Sequence, residues 1–270
     1  MNANTNDTIV DIVKERYGAI AEGKTFGSCC GGSGREALAV GCGYERTDLA
    51  ALPEDANLGL GCGAPVAYLE LKPGETVVDL GSGAGIDAFL AAREVGPNGH
   101  VVGVDMTPAM IAKARANASR AGFSQVEFRE GRLESLPIAD ASVDAVTSNC
   151  VINLVPDKAA VFAEIARILK PQGRFAIADI VLDAPLPTSI VADVSAYVGC
   201  VSGALLRADY LSMLAEAGFE TVTVVKDIDY LAAAGDLSSD PVSGALERAG
   251  MSQADIAGKV RSITFRAVRR

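Results

Sequence analysis

Cys150 stands in Ser148-Asn149-Cys150-Val151-Ile152-Asn153-Leu154, directly after an apolar run that reads as a sheet strand. Open α/β sheets bind their ligands at the carboxyl ends of strands. A thiol therefore sits where such a fold places its chemistry. Other thiols are spread along the chain: the Cys29-Cys30 pair, Cys42, Cys62 within Asn57-Leu58-Gly59-Leu60-Gly61-Cys62-Gly63, and Cys200 within Tyr197-Val198-Gly199-Cys200-Val201-Ser202-Gly203. A buried thiol is an ordinary core residue. Cys62 and Cys200 depart from that reading because glycines flank them, leaving little side-chain packing and a backbone able to fold over a ligand. Thiolates bind soft, sulfur-seeking elements best. The single histidine, His100, follows Pro97-Asn98-Gly99, where a turn enters a strand, and reads as a solvated surface residue. With one such histidine and no CxxC pair, a Cys2His2 zinc site is disfavoured, and a Cys–His or Ser–His nucleophilic site would have to use His100.

A second chemical signal lies upstream. Val77-Val78-Asp79-Leu80-Gly81-Ser82-Gly83-Ala84-Gly85 ends an apolar strand and opens a helix. Glycines there permit a tight turn and close approach of backbone to a ligand. The next strand ends in Asp105, about where an acidic residue holds ribose hydroxyls in a nucleotide site. On the residues alone, a dinucleotide and an adenosyl cofactor both remain open.

These residues need elements to position them. Helical spacing of Ile9, Ile12, Val13, Tyr17 and Ile20 predicts a helix over 8–22, with Asp7 as a cap. Residues 23–63, rich in Gly and Cys, read as an extended or partly mobile arm, and a short helix over 65–71 leads into the core. Strands are predicted at 76–80, 100–105, 126–130, 143–148, 174–179, 220–225 and 262–268, and helices at 86–95, 108–121, 157–169 and 209–217. Continuous β-branched runs between helices indicate a parallel sheet covered on both faces. The last strand comes late and near a hairpin-like partner, so the edge is expected to be mixed. An apolar insertion at 189–206 carries Cys200, and 232–258 is a loose Ala/Gly/Ser-rich stretch.

Bulk composition narrows the function. The 270 residues carry a net charge of −10, 49% apolar side chains, 21% charged side chains and no Trp. This balance argues against a nucleic-acid partner, which needs clustered Lys and Arg; only Arg266, Arg269 and Arg270 come close. No run of about 18 apolar residues marks a membrane span. The polar, acidic start lacks the features of a signal peptide, so the expected location is cytoplasmic, where cysteines stay reduced.

The glycine loop, Gly81-Ser82-Gly83-Ala84-Gly85 preceded by Asp79-Leu80, resembles motif I of the class I S-adenosylmethionine methyltransferases. More specifically, the chain resembles the arsenite methyltransferases. The likeness runs from Cys29-Cys30 through Leu49-Ala50-Ala51-Leu52-Pro53, GLGCG, DLGSGAG, VGVDMT and SNCVINL to GCVSGAL, over most of residues 17–225. SNCVINL and GLGCG are its specific parts.

The resemblance implies an α/β, Rossmann-like class I methyltransferase with a mostly parallel seven-stranded sheet, an N-terminal Cys/Gly-rich arm and a small C-terminal extension. It divides the chain into an arm (1–63), an S-adenosyl-L-methionine-binding domain (64–182) and an As(III)-binding insertion with the part completing the sheet (183–270). It implies that Asp79, Gly81, Gly83, Gly85, Asp105, Met106, Leu133, Glu134 and Asn149 bind the cofactor. Arg132 stands where many relatives have Asp, which leaves the adenine contact to the Leu133 backbone or Glu134. Met106 either packs on the adenine or fills the core. Cys62, Cys150 and Cys200 are implied to bind and methylate As(III), with Cys29 and Cys30 as further candidates and Cys30 the favoured functional member of the pair. Cys42 is a structural thiol or an auxiliary ligand. Implied partners are As(III) and methylated arsenicals as substrates, with glutathione or a thioredoxin-type reductant. Two other readings are a methyltransferase for an organic small molecule and a non-catalytic, thiol-based metalloid-binding protein.

Overall fold

The computed structural model describes residues 3–24, 35–193, 196–197, 199–230 and 241–270. Seven strands form one sheet: β1 (Thr76–Leu80), β2 (His100–Asp105), β3 (Val126–Glu130), β4 (Val143–Asn149), β5 (Leu169–Leu182), β6 (Phe219–Asp229) and β7 (Val260–Arg269). Their order is β3-β2-β1-β4-β5-β7-β6. The first five run parallel; β7 lies antiparallel between β5 and β6. The strand order reverses between β1 and β4, which is where a parallel sheet opens a crevice. Register brings Leu80 level with both Val104 and Ser148. The residues that follow, Gly81, Asp105 and Asn149, therefore share one rim.

Alternation along the strands sorts side chains to opposite faces. Val77 and Val101 pack with Phe89 of α4 (Ile86–Val95) and Ile111 of α5 (Pro108–Ala121). Val78 and Val102 share the other layer with Phe162 of α6 (Lys158–Ile168) and Tyr210 of α8 (Arg207–Glu216). In that second layer Tyr210 stacks on Phe265 and meets Phe162 edge-on. Helix ends follow local chemistry: Pro108 occupies the first turn of α5, Gly122 closes it at φ 73°, and the Asp157 carboxylate caps α6 by accepting from the Ala160 N–H.

The N-terminal part is more ordered than its composition suggests. Helix α1 (Ala3–Ala21) begins upstream of Asp7, which lies inside the helix and not at its cap. The segment expected as an extended arm holds α2 (Arg35–Cys42), α3 (Arg46–Ala50) and a 3-10 turn (Glu54–Ala56). The helix expected over 65–71 is a 3-10 turn, Pro65–Tyr68. Short α7 (Thr188–Val191) opens the insertion, and the stretch expected to be loose contains α9 (Pro241–Arg248). Among the described residues, no helix is long and apolar enough to cross a membrane.

Candidate active site

A cleft of about 980 Å³, its open mouth included, lies at the switch between β1 and β4. Gly81 (φ +67°) turns the chain at its floor, and a Cβ there would sit 2.5 Å from Val151. Gly85 (φ +102°) starts α4, and a Cβ there would strike Phe89 and Phe128. The Asp105 carboxylate accepts from Gly83 N–H at 3.0 Å and Thr107 N–H at 2.8 Å. Burial still raises its pKa, those bonds only partly offsetting the cost. Asp79 is deeper; burial, then its neighbours Asp87 and Asp105, raise its pKa well above the carboxylate range. Among the described residues, its Oδ2 has no hydrogen-bond partner. Met106, Met110, Leu58 and Leu133 supply apolar walls, with Glu134 beside them. Arg132 pairs with Glu134 at 2.8 Å. The cleft suits a ligand with a cationic group near Asp79, hydroxyls near Asp105 and a flat apolar body.

Cys150 forms part of the cleft wall. It leaves β4 in the left-handed region (φ +59°), with its N–H bonded to the Ala178 carbonyl at 2.8 Å. Cys200 is also left-handed (φ +65°), and its thiol donates to the Cys150 carbonyl at 2.9 Å. Such conformations cost energy outside glycine and asparagine, and they concentrate at functional sites. The neighbouring Cys200 and Cys62 thiols, then burial, push the Cys150 pKa well up. All three thiols are at most 6% exposed and share one apolar cluster with Val13, Leu154 and Val201. The structure thus brings Cys62, Cys150 and Cys200 into one cluster, with the Cys200 thiol bonded to the Cys150 carbonyl. Among the described residues, no group of three or more His, Cys, Asp or Glu side chains is laid out as a ready metal cage. A ligand on Cys200 would have to replace that S–H bond. Cys42 packs against a different cluster, with Tyr44 and Ala64, and donates to the carbonyl of Gly61, the residue before Cys62, at 3.5 Å. Cys29 and Cys30 lie outside the described residues.

Two buried polar networks flank the thiols, and neither stood out in the sequence. Tyr44 donates to both oxygens of Asp87 at 2.9 and 3.0 Å, and Asn149 joins both residues. Burial raises the Asp87 pKa, while Asn149 and Tyr44 hold it down. On the other side, Lys158 donates to the Val155 carbonyl at 3.0 Å, and burial lowers its pKa. Buried Asp179 accepts from Tyr210 at 3.3 Å. An aspartate in a helix's first turn and a lysine at a helix start read as solvated groups; only the fold buries them. His100 is half-exposed beside Glu127, the surface role its context implies.

Comparison with known proteins gives this geometry a family. The methyltransferase domain profile matches residues 71–218, more than half of the chain. The crystal structure of an arsenic (III) S-adenosylmethionine methyltransferase from Chlamydomonas reinhardtii superposes with a TM-score of 0.64 and 30% identity, over 87% of this chain and 74% of that one. The chain belongs to the arsenite methyltransferase family. Within that family, the arsenite methyltransferase of Halobacterium salinarum is 47% identical over 246 residues, 82% of this chain and 62% of that protein. The arsenite methyltransferase of Aquipseudomonas alcaligenes is 41% identical over 184 residues, 65% of this chain and 52% of that protein. The chain therefore spans less than two thirds of either of these arsenite methyltransferases.

Proposed function

We propose that this chain methylates As(III) held by Cys62, Cys150 and Cys200, with S-adenosyl-L-methionine as methyl donor. The observation that carries the reading is the meeting of three thiols, from positions 62, 150 and 200, against the wall of the cleft. The cleft fits the donor. Asp79 offers an orphaned buried oxygen to its ammonium group, Asp105 offers a carboxylate to the ribose hydroxyls, and Met106 and Leu133 flank its adenine. Bound there, it supplies a methyl group on a sulfonium centre, which the arsenic lone pair attacks to leave a neutral thioether.

The protein's own part is binding and alignment. Arsenous acid and three thiols condense to a trithiolate and three waters with no net proton change. A raised Cys150 pKa is therefore no barrier to loading. No proton leaves arsenic in the transfer, so no general base is required, and no histidine lines the cleft. Alignment within a dry site supplies the rate. Attack raises arsenic from the trivalent to the pentavalent state, and glutathione or a thioredoxin-type reductant returns the two electrons. Methylated arsenicals are both products and further substrates.

The test is incubation with labelled donor, arsenite and glutathione. Methylated arsenic is expected from the wild type, and none from Cys150→Ser or Cys200→Ser. Full turnover in both variants would remove the cysteines from the mechanism. Tight arsenite binding without product would indicate a sequestering protein.

A further inference from the structure

The glycines around Cys62 and the amide of Asn149 form one device. Asn149 is the last residue of β4 and the immediate neighbour of Cys150. Its Oδ1 accepts from the Cys62 N–H at 3.0 Å and the Gly63 N–H at 3.3 Å. Its Nδ2 faces the Gly63 carbonyl at 2.7 Å, the Tyr44 hydroxyl at 2.8 Å and Asp87 Oδ2 at 3.1 Å. An amide has two donor hydrogens and two acceptor lone pairs. Every one is taken by protein, and the reverse orientation of the amide would set its NH2 against two backbone N–H groups. Asn149 lines the cleft but has no capacity left for a ligand there.

The flanking glycines are what allow this contact. A Cβ on Gly61 would lie 2.9–3.1 Å from the Asn149 amide, and one on Gly63 would lie 2.5 Å from Ala178 Cβ. On its far side the Cys62 carbonyl accepts from Ser262 of β7 at 2.6 Å. Cys62 is thus held at both peptide groups, between the end of β4 and β7.

We infer that Asn149 is a positioning residue that sets Cys62 against Cys150, with Tyr44 and Asp87 bracing its amide, and that it is not a cofactor ligand. The inference rests on the proposed arsenic site. A partner one shell out from a metal ligand is worth about 10- to 100-fold in affinity or activity. Asn149→Ala is therefore expected to weaken arsenite binding, read by equilibrium dialysis with arsenic quantification, by about that factor, and to lower kcat. Donor affinity, read by calorimetry, stays within about threefold, as expected for a residue that makes no donor contact. Gly61→Ala, which pushes on the same amide from the other side, is expected to act alike. Tyr44→Phe, which keeps the ring and removes one brace, is expected to give a smaller loss of the same kind.

A geometric readout independent of arsenic is the rate of Cys62–Cys150 disulfide formation with diamide as oxidant, followed by mass spectrometry. It is expected to fall in Asn149→Ala and Gly61→Ala. Loss of donor affinity with arsenite binding intact would make Asn149 a cofactor ligand and overturn the inference. So would unchanged cross-linking and unchanged arsenite affinity in both variants. Failure of the wild type to bind arsenite, with cross-linking slowed in the variants as expected, would sink the arsenic reading and leave the positioning role standing.

Discussion

Asp105 receives two backbone hydrogen bonds, and yet burial raises its pKa. The free carboxylate is therefore costly, and ribose hydroxyls donating to it would favour the charged form and lower the pKa on binding. Donor affinity should then rise as pH climbs through the raised value and level off above it. Acid weakening should begin at a higher pH than for an exposed aspartate, which titrates near about 3.9. Asp105→Asn is expected to lose the hydrogen bonds to charge, about 1.5–3 kcal/mol, and to flatten the acid-side slope. Calorimetric titration across pH checks both effects, and a wild-type slope retained in the variant would assign the titration elsewhere. The thiols and the glycine loop were legible in the sequence because their types are rare or their spacing is specific. Tyr44, Asp87, Lys158 and Asp179 were not, because each is an ordinary type whose meaning comes from being buried beside another polar group.

Most of the parallel strands stood out as β-branched or apolar stretches, and β1, β2 and β3 fall at the expected residues, although β3 alternates apolar and charged side chains. The antiparallel strands are longer than read. β6 extends to Asp229 because pairing with β7 continues through polar positions, and its outer edge is half-wet, with no clean alternation. β5 starts at Leu169, but Lys170-Pro171-Gln172-Gly173 break its pairing with β4, so composition showed only the regular part. Helices α2 and α3 escaped notice because they have eight and five residues, too few for a periodic signal.

The insertion carrying Cys200 is seated by close approach. A Cβ on Gly203 would fall 2.1 Å from the Asn153 carbonyl, and the Tyr197 hydroxyl donates to the Leu154 carbonyl at 3.2 Å. Gly203→Ala must therefore lift this segment off the loop after β4 and draw Cys200 from the Cys150 carbonyl. Overpacking of this kind costs about 1–3 kcal/mol. The expected result is a Tm lower by several degrees, about 2–4 °C per kcal/mol for a chain of this size, together with a large fall in kcat and unchanged donor affinity. A variant of wild-type kcat would mean that this close contact is not what holds the thiol.

At the scale of the molecule, the cofactor cleft and the thiol cluster share a roof. Helix α1 packs on α5 and presents Val13 and Tyr17 four residues apart, on one face. Val13 is 2% exposed, belongs to the cluster of Cys62, Cys150 and Cys200, and also lines the cleft with Tyr17. One helix thus covers both the cleft and the thiols, and the proposed methyl transfer between soft centres would depend on that dryness more than on acid–base groups. A ligand that binds only the folded state stabilises it by about 2.7 kcal/mol at a hundredfold excess over its Kd. The rise in Tm on adding saturating donor is therefore a measure of how well the roof closes. In a Val13→Ala, Tyr17→Ala double variant the rise at a fixed donor concentration is expected to shrink, and arsenite affinity is expected to weaken alongside it. If the donor still raised Tm by the wild-type amount, α1 would be a neighbour of the site and no part of its enclosure. If only one of the two affinities fell, the roof would serve a single reactant, and the dry passage from cleft to thiols would need another wall.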